Sequence, residues 1–273
     1  MTSNTNIIPD EIKKQIIGTE AYSRYQNTSN KTHRLLNLTL EGLNSVQQSH
    51  DDLLTKFYNA EFNESENEDE DEFNIEKIGD DNYLVRMSEE QYNLLTASLE
   101  HSKKENSILD KYIYSILVVF IWGAFETYLN QAFSEIFRVQ PSILKSKNIL
   151  FSSSDIIDNI EDPLEVIINK ELNKMGHFKI NDWVKYLKSN INYDFEESEI
   201  EKLNGIYLVR NIVAHNTGIV RIEQLDKVPN ELTIEDSELV VSEEYLNDSI
   251  TTIDNAVTSI EKLIRDKFYK LDK

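Results

Sequence analysis

At 273 residues the chain is long enough for one large domain or two small ones. A hydrophobic content of 40% supports a core, while 7 Gly and 4 Pro are too few for a turn-rich sandwich or barrel, and the lack of Cys excludes disulfides and thiolate metal sites. A formal net charge of -21 excludes a polyanionic partner captured by overall charge alone.

The N-terminal residues Met1 to Asn6 carry no basic stretch leading into an apolar one, so no secretory signal is expected, and a reducing cytoplasm fits the Cys-free composition. Residues 9–27 read as a helix with Pro9 just inside its first turn. Residues 31–59 read as a second helix. Leu36, Leu40, Leu43, Leu54 and Phe57 alternate steps of four and three along one stripe. Gln47 and His50 sit in the same stripe, where polar residues fix register or meet a partner residue.

Between Glu61 and Glu72 there are eight acidic residues and no Lys or Arg. Such a block repels itself and reads as a solvated loop. A boundary is placed inside it, giving an N-terminal helical region 1–75 and a second domain 76–273. Asn82 to Arg86 reads as a short strand, and Ser88-Glu89-Glu90-Gln91 has the spacing of a capping box that opens a helix. A long helix is expected from Asn106 to about Phe137, stopped by Pro141. Its apolar run, Tyr112 to Phe125, is shorter than the roughly 20 residues a membrane span needs, so a helix buried in protein is expected and no membrane partner.

Asp162-Pro163 reads as a turn or helix start, with helical spacing from Leu164 to Leu172 and a further short helix over Asn181 to Leu187. A helix from Glu197 to about His215 is expected to stop at Gly218. Ile219 to Ile222 and Leu232 to Ile234 look like the strands of a small hairpin, with Leu239 to Val241 nearby. Ser242 caps a last helix carrying Leu246, Ile250, Ile253, Val257, Ile260 and Ile264 on one face. The expectation is an all-α fold: a helical bundle with a small β-hairpin and extra N-terminal helices.

The chemistry gathers on Arg210-Asn211-Ile212-Val213-Ala214-His215. On a helix, Asn211 and His215 share a face and Arg210 reaches its edge. His titrates near neutrality and moves a proton, Arg holds a phosphate through two parallel hydrogen bonds, and Asn donates without titrating. The set suits attack of a ribose 2′-OH on its neighbouring phosphodiester, which needs no metal. Arg-Asn followed by His at this spacing arises by chance in such a chain with a probability of about 0.01. The plain alternative is an Arg and a His that satisfy carbonyls or the dipole at a helix end. His33, His101 and His177 are scattered, without a second ligand at zinc spacing, and no metal or cofactor site is assigned. There is no glycine-rich phosphate loop, and Trp122 with its aromatic neighbours reads as core.

Arg210-Asn211-x-x-x-His215 on a late helix resembles the R-N-x-x-x-H signature of HEPN domains (higher eukaryotes and prokaryotes nucleotide-binding). Phe125-Glu126-x-Tyr128-Leu129 on a long earlier helix is similar to a pattern in bacterial HEPN families of toxin and anti-phage systems. The resemblance covers roughly residues 88–268. It implies a helical homodimer whose two motif helices meet to form one metal-independent endoribonuclease site in the cytoplasm, with RNA as substrate and an antitoxin or defence-system partner. It makes His215 the acid/base residue, Arg210 the phosphate binder, Asn211 its support and Glu126 the orienting residue or a buried ion-pair partner. The other reading it leaves is a non-catalytic HEPN module that binds RNA, a nucleotide or a protein. Some HEPN toxins paired with a nucleotidyltransferase antitoxin have Tyr two residues after the His; Thr217 stands there in this chain. The first 75 residues have no counterpart in the family, and residues 141–200 are expected to be an insertion.

Overall fold

A computed structural model of the protein describes residues 18–58, 74–77, 83–86, 88–146, 149 and 162–269. The expected helix start at Pro9 and the acidic loop lie outside the described residues. The described chain is all-α apart from two small hairpins.

Helix α1 runs unbroken over Glu20–Tyr58. This corrects the expectation of two helices parted near residue 28. Asn27 to Asn30 look like a break because short polar side chains compete for backbone groups. Here the hydroxyls turn back onto their own helix instead, Thr28 Oγ1 donating to the Arg24 carbonyl at 3.0 Å and Thr32 Oγ1 to the Thr28 carbonyl at 2.9 Å. Ser29 Oγ donates to Asp254 at 3.0 Å, so tertiary contact overrides the weak local propensity.

Strands β1 (Asn74–Lys77) and β2 (Tyr83–Arg86) pair antiparallel, Asn74 with Arg86 and Lys77 with Tyr83. Helix α2 then runs over Glu89–Val139, joining two expected helical segments. Its capping box forms as read: Ser88 Oγ accepts from Gln91 N at 3.2 Å, and Gln91 Oε1 accepts from Ser88 N at 3.0 Å. A 3-10 turn, Pro141–Ser146, follows. Among the described residues α2 is the one helix long and apolar enough, by length and composition, to cross a membrane. Its apolar run is only partly buried: Leu117, Val118, Ile121, Trp122 and Phe125 are inside, whereas Tyr112, Ile116 and Phe120 face outward.

Helices α3 (Pro163–Met175), α4 (Ile180–Ile191), α5 (Glu197–Asn216) and α6 (Glu243–Phe268) complete the chain. Asp162 is the N-cap of α3, accepting from Glu165 N at 3.1 Å with Pro163 in the first turn. Ser242 caps α6 through Tyr245 N at 3.1 Å. The expected strand Ile219–Ile222 is corrected. Ile219 makes only an isolated bridge to Glu238, and Ile222–Lys227 is a 3-10 turn. The hairpin is instead β3 (Thr233–Glu235) with β4 (Glu238–Val240), Ile234 opposite Leu239. Asp236 and Ser237 supply its tight two-residue turn at φ 49° and 71°, left-handed values that suit a primed hairpin turn.

The described residues form two compact units: one of residues up to Arg34 and from Tyr114 onward, the other Leu35–Ile113. The division falls inside α1 and α2 and not at the expected boundary near residue 75. In the first unit the buried face of α6, from Leu246 to Ile264, meets α5 and α4. Residues 163–191 belong to the same core. Trp183, Leu187 and Ile191 are buried, and Phe133 of α2 meets Tyr186 edge-on at 5.0 Å. In the second unit Lys103 of α2 pairs with Asp51 of α1 at 2.6 Å, and the inner stripe of α1 is less exposed than its flanks, with Leu36 buried. Of that stripe, the side chains of Leu54 and Phe57 lie outside the described set.

Candidate functional site

Helix α5 carries three of the four residues singled out from the sequence. Glu199 Oε2 accepts from Glu196 N at 3.0 Å at its start. Leu203, Ile206, Val209 and Ile212 are its buried positions, which hold it against the core and fix the rotation of everything else on it. Gly205 permits close approach of the loop beyond: a Cβ there would lie 2.9 Å from Pro229 Cγ. The helix ends at Thr217 and Gly218, at φ 52° and 89°, with Gly218 N donating to the Ile212 carbonyl at 3.1 Å. Gly218 O in turn accepts from Leu239 N at 2.9 Å, so β4 anchors the helix end just beyond His215.

Arg210 is the hub. Its Nη1 donates to Asn211 Oδ1 at 2.9 Å and contacts His215 Nε2 at 3.2 Å. Arginine always donates, so in this arrangement Nε2 is the acceptor and the imidazole proton sits on Nδ1. Arg210 Nη2 lies 3.7 Å from Glu126 Oε2 of α2. That is an ion-pair distance and too long for a hydrogen bond. The two side chains are 26% and 28% exposed, and His215 is exposed. A pair as open as this contributes at most about 1 kcal/mol, so an incoming anion competes with Glu126 on favourable terms.

The α2 side of the site is set by aromatic packing. Trp122, one turn before Glu126, is buried with its ring 5.5 Å from Tyr207, one turn before Arg210. The two helices therefore run in step, and each brings its charged residue up behind an aromatic one. All four predicted residues, Arg210, Asn211, His215 and Glu126, come together at one place. From the sequence Trp122 reads only as core and Tyr207 only as an apolar position of its helix; the four- and three-residue offsets from Glu126 and Arg210 point to both. Trp122 Nε1 and Asn130 Oδ1, one turn either side of Glu126, are buried without a hydrogen-bond partner. Among the described residues no group of His, Asp and Glu could hold a metal ion. His33, unassigned from the sequence, lies 3.6 Å from Asp254.

A second polar cluster, unforeseen in the sequence, holds the start of α1. Glu261 of α6 is 3% exposed and accepts from Thr19 N at 2.8 Å, Thr19 Oγ1 at 2.9 Å and Tyr128 Oη at 3.3 Å. Glu135 of α2 accepts from Ala21 N at 2.7 Å. Burial, with Glu261 beside it, holds the Tyr128 phenol well above its ordinary value, so it remains a donor. Burial also raises the Glu135 carboxyl. These contacts satisfy helix-start N–H groups.

Comparison of the chain with protein-family models, with curated proteins and with solved structures returns no match.

Proposed function

We propose that this chain is a metal-independent endoribonuclease of HEPN type, acting in the cytoplasm in bacterial toxin or anti-phage defence and cutting RNA at a site shared by two copies. The observation that carries the reading is Arg210 Nη1 bonded at once to Asn211 and His215, with Glu126 behind it. An Arg held on one face and open on the other is prepared for a phosphate.

In the proposed reaction Arg210 donates to the non-bridging oxygens of the scissile phosphate, and that contact draws it away from His215 Nε2. Nε2, then free, removes the proton of the ribose 2′-OH. O2′ bonds to phosphorus, the bond from phosphorus to O5′ breaks, and O5′ takes a proton from a second acid. The products are a 2′,3′-cyclic phosphate and a 5′-OH. One motif offers a single His, whereas the step needs both a base and an acid. Two copies related by a two-fold axis beside His215 supply both and double the Arg210 charge, offsetting locally the net charge of -21. Glu126, at ion-pair distance, orients Arg210 only weakly before RNA arrives. An antitoxin or a defence-system protein is the expected further partner.

A second reading, a HEPN module that binds RNA, a nucleotide or a protein without cutting, is favoured by the same Arg210–His215 contact, because it occupies the nitrogen a base would use. One experiment separates the two. Purified protein is incubated with labelled single-stranded RNA in excess EDTA beside His215→Ala. The enzyme reading requires cyclic-phosphate ends from the wild type and about a thousandfold less product from the variant at unchanged thermal melting. RNA retained but uncut by both proteins establishes the binding module; cutting that needs added Mg²⁺ or that survives in His215→Ala overturns the mechanism.

A further inference from the structure

Beyond His215 the chain is fastened at several successive residues. Leu239 N donates to the Gly218 carbonyl at 2.9 Å and Val220 N to the Ser237 carbonyl at 2.9 Å, so the hairpin holds Gly218 to Val220. Gln224 Oε1 then accepts from Arg221 N at 3.0 Å and from Asn216 Nδ2 at 3.4 Å. One oxygen thus ties the start of the 3-10 turn Ile222–Lys227 to the residue that follows His215. The turn and Arg221 are thereby placed beside the end of α5.

Two features of this segment call for a ligand. Ile222 is 87% exposed, more than any other large hydrophobic side chain among the described residues, and Leu225 is 46% exposed. Residues three apart in a 3-10 turn lie one above the other, so these two form a single apolar edge. Beside the edge stands Arg221. Arg24, Arg138 and Arg210 each meet a carboxylate. The exposed Arg221 guanidinium meets no hydrogen-bond or ion-pair partner among the described residues, in a chain with 49 acidic residues. A free guanidinium next to a bare apolar edge matches a nucleotide, which joins a phosphate to the flat face of a base. An edge two side chains long is far smaller than a stable protein interface, with its about 20–30 residues a side. We propose that Arg221, Ile222 and Leu225 form a subsite for the nucleotide next to the scissile phosphate: Arg221 takes its phosphate, and the Ile222–Leu225 edge takes the face of its unpaired base. The subsite rests on the RNA reading of Arg210 and His215. It makes the substrate single-stranded, because in a duplex both faces of a base are covered by its neighbours.

The test reads affinity on the full chain carrying His215→Ala, so that RNA stays intact during the measurement. A labelled single-stranded oligoribonucleotide and an RNA duplex are titrated over a range of salt concentrations. Adding Arg221→Gln must weaken single-strand binding about tenfold, as loss of a charge-assisted contact does. It must also flatten the slope of log affinity against log salt by about 0.7, the mark of one lost phosphate contact on a single strand. Adding Ile222→Ser with Leu225→Ser must weaken single-strand binding about tenfold, keep the salt slope, and abolish the preference for single strand over duplex. All three positions are exposed, so thermal melting must not move. A parent chain that holds no RNA removes the RNA reading and the subsite with it. RNA held at the parent's affinity by either variant overturns the subsite alone and leaves Arg210 and His215 as they stand. A single-strand preference that survives Ile222→Ser with Leu225→Ser while light scattering shows the mass halved gives the edge to a second copy, and that too overturns the subsite.

Discussion

Helix α2 contributes a carboxylate to each of two polar clusters, and the clusters differ in what they leave open. Toward α5 it offers Glu126, 3.7 Å from Arg210 and about a quarter exposed. Toward the start of α1 it offers Glu135, beside the buried Glu261 and its three uncharged donors. In the second cluster Glu261 is buried and engaged by three donors, and Glu135 receives a helix-start amide. In the first, charge is partly neutralised, partly exposed and loosely held. A charged group that gains little from its present partner has most to gain from a new one, which is why the reactive reading attaches to Arg210 and the structural one to Glu261.

The largest effect expected from breaking this contrast lies at Arg210. Arg210→Lys keeps the charge but loses the planar fork that fits a phosphate. Cleavage should fall by roughly 10²- to 10³-fold, by analogy with removal of one preorganised donor, with the melting temperature little changed. A Lys variant that cuts at the wild-type rate would reduce Arg210 to a point charge or remove it from the reaction. At Glu261 the balance should reverse. Glu261→Ala strands the Thr19 amide, the Thr19 hydroxyl and the Tyr128 hydroxyl in a buried space. At about 1–3 kcal/mol for an unmet buried group, the expected loss is about 3 kcal/mol of stability. Cleavage per folded molecule should be unchanged. If the thermal melt holds steady and cleavage collapses, Glu261 belongs to the site and the contrast is wrong.

The two clusters also differ in how far the sequence announces them. Arg210, Asn211 and His215 lie within six residues, and a helix converts that spacing into proximity by local geometry alone. Glu126 is distant in sequence, and only the likeness of its flanking residues to a known pattern pointed to it. Nothing marks Glu261 or Glu135, because in a chain with 49 acidic residues a carboxylate that receives a helix start 242 residues away looks like any other. Helix identity was legible where apolar spacing and caps agreed, as at Ser88, Asp162 and Ser242. It failed at Asn27 to Asn30, where polar residues that favour breaks are held helical by Asp254, and at Ile219 to Ile222, where β-branched residues suggested a strand but the tight turn at Asp236-Ser237 pairs β4 with β3. The first failure comes from a long-range partner that local propensity does not encode, the second from a competing local hairpin whose turn residues were not recognised.

A smaller effect separates the open ion pair at the site from an open one elsewhere on α2. Arg138 donates to Glu165 of α3 through Nε at 2.6 Å and Nη2 at 2.9 Å, and Nη1 reaches Ser134 Oγ at 2.6 Å. This Arg is braced in the geometry that Arg210 lacks. The Arg138 hydrogen bond holds the Glu165 carboxyl below the usual carboxylate range. A carboxyl with a lowered folded value stabilises the fold above its unfolded value, near 4.3, and loses that contribution as pH falls through the folded value. Both side chains are a third or more exposed, so the stabilisation is only about 0.5 kcal/mol. Glu165 also sits in the first turn of α3, where a negative charge is favoured by the helix dipole, so a single substitution mixes two effects. A double-mutant cycle of Arg138→Met and Glu165→Gln isolates the pair. Its coupling, read from thermal melts, should be present at pH 7 and decline as the pH falls below the usual carboxylate range. The same cycle on Arg210→Met and Glu126→Gln should give a coupling near zero at pH 7. A coupling at Arg210–Glu126 as large as that at Arg138–Glu165 would mean that Arg210 is firmly engaged by the protein and not held in readiness for a phosphate.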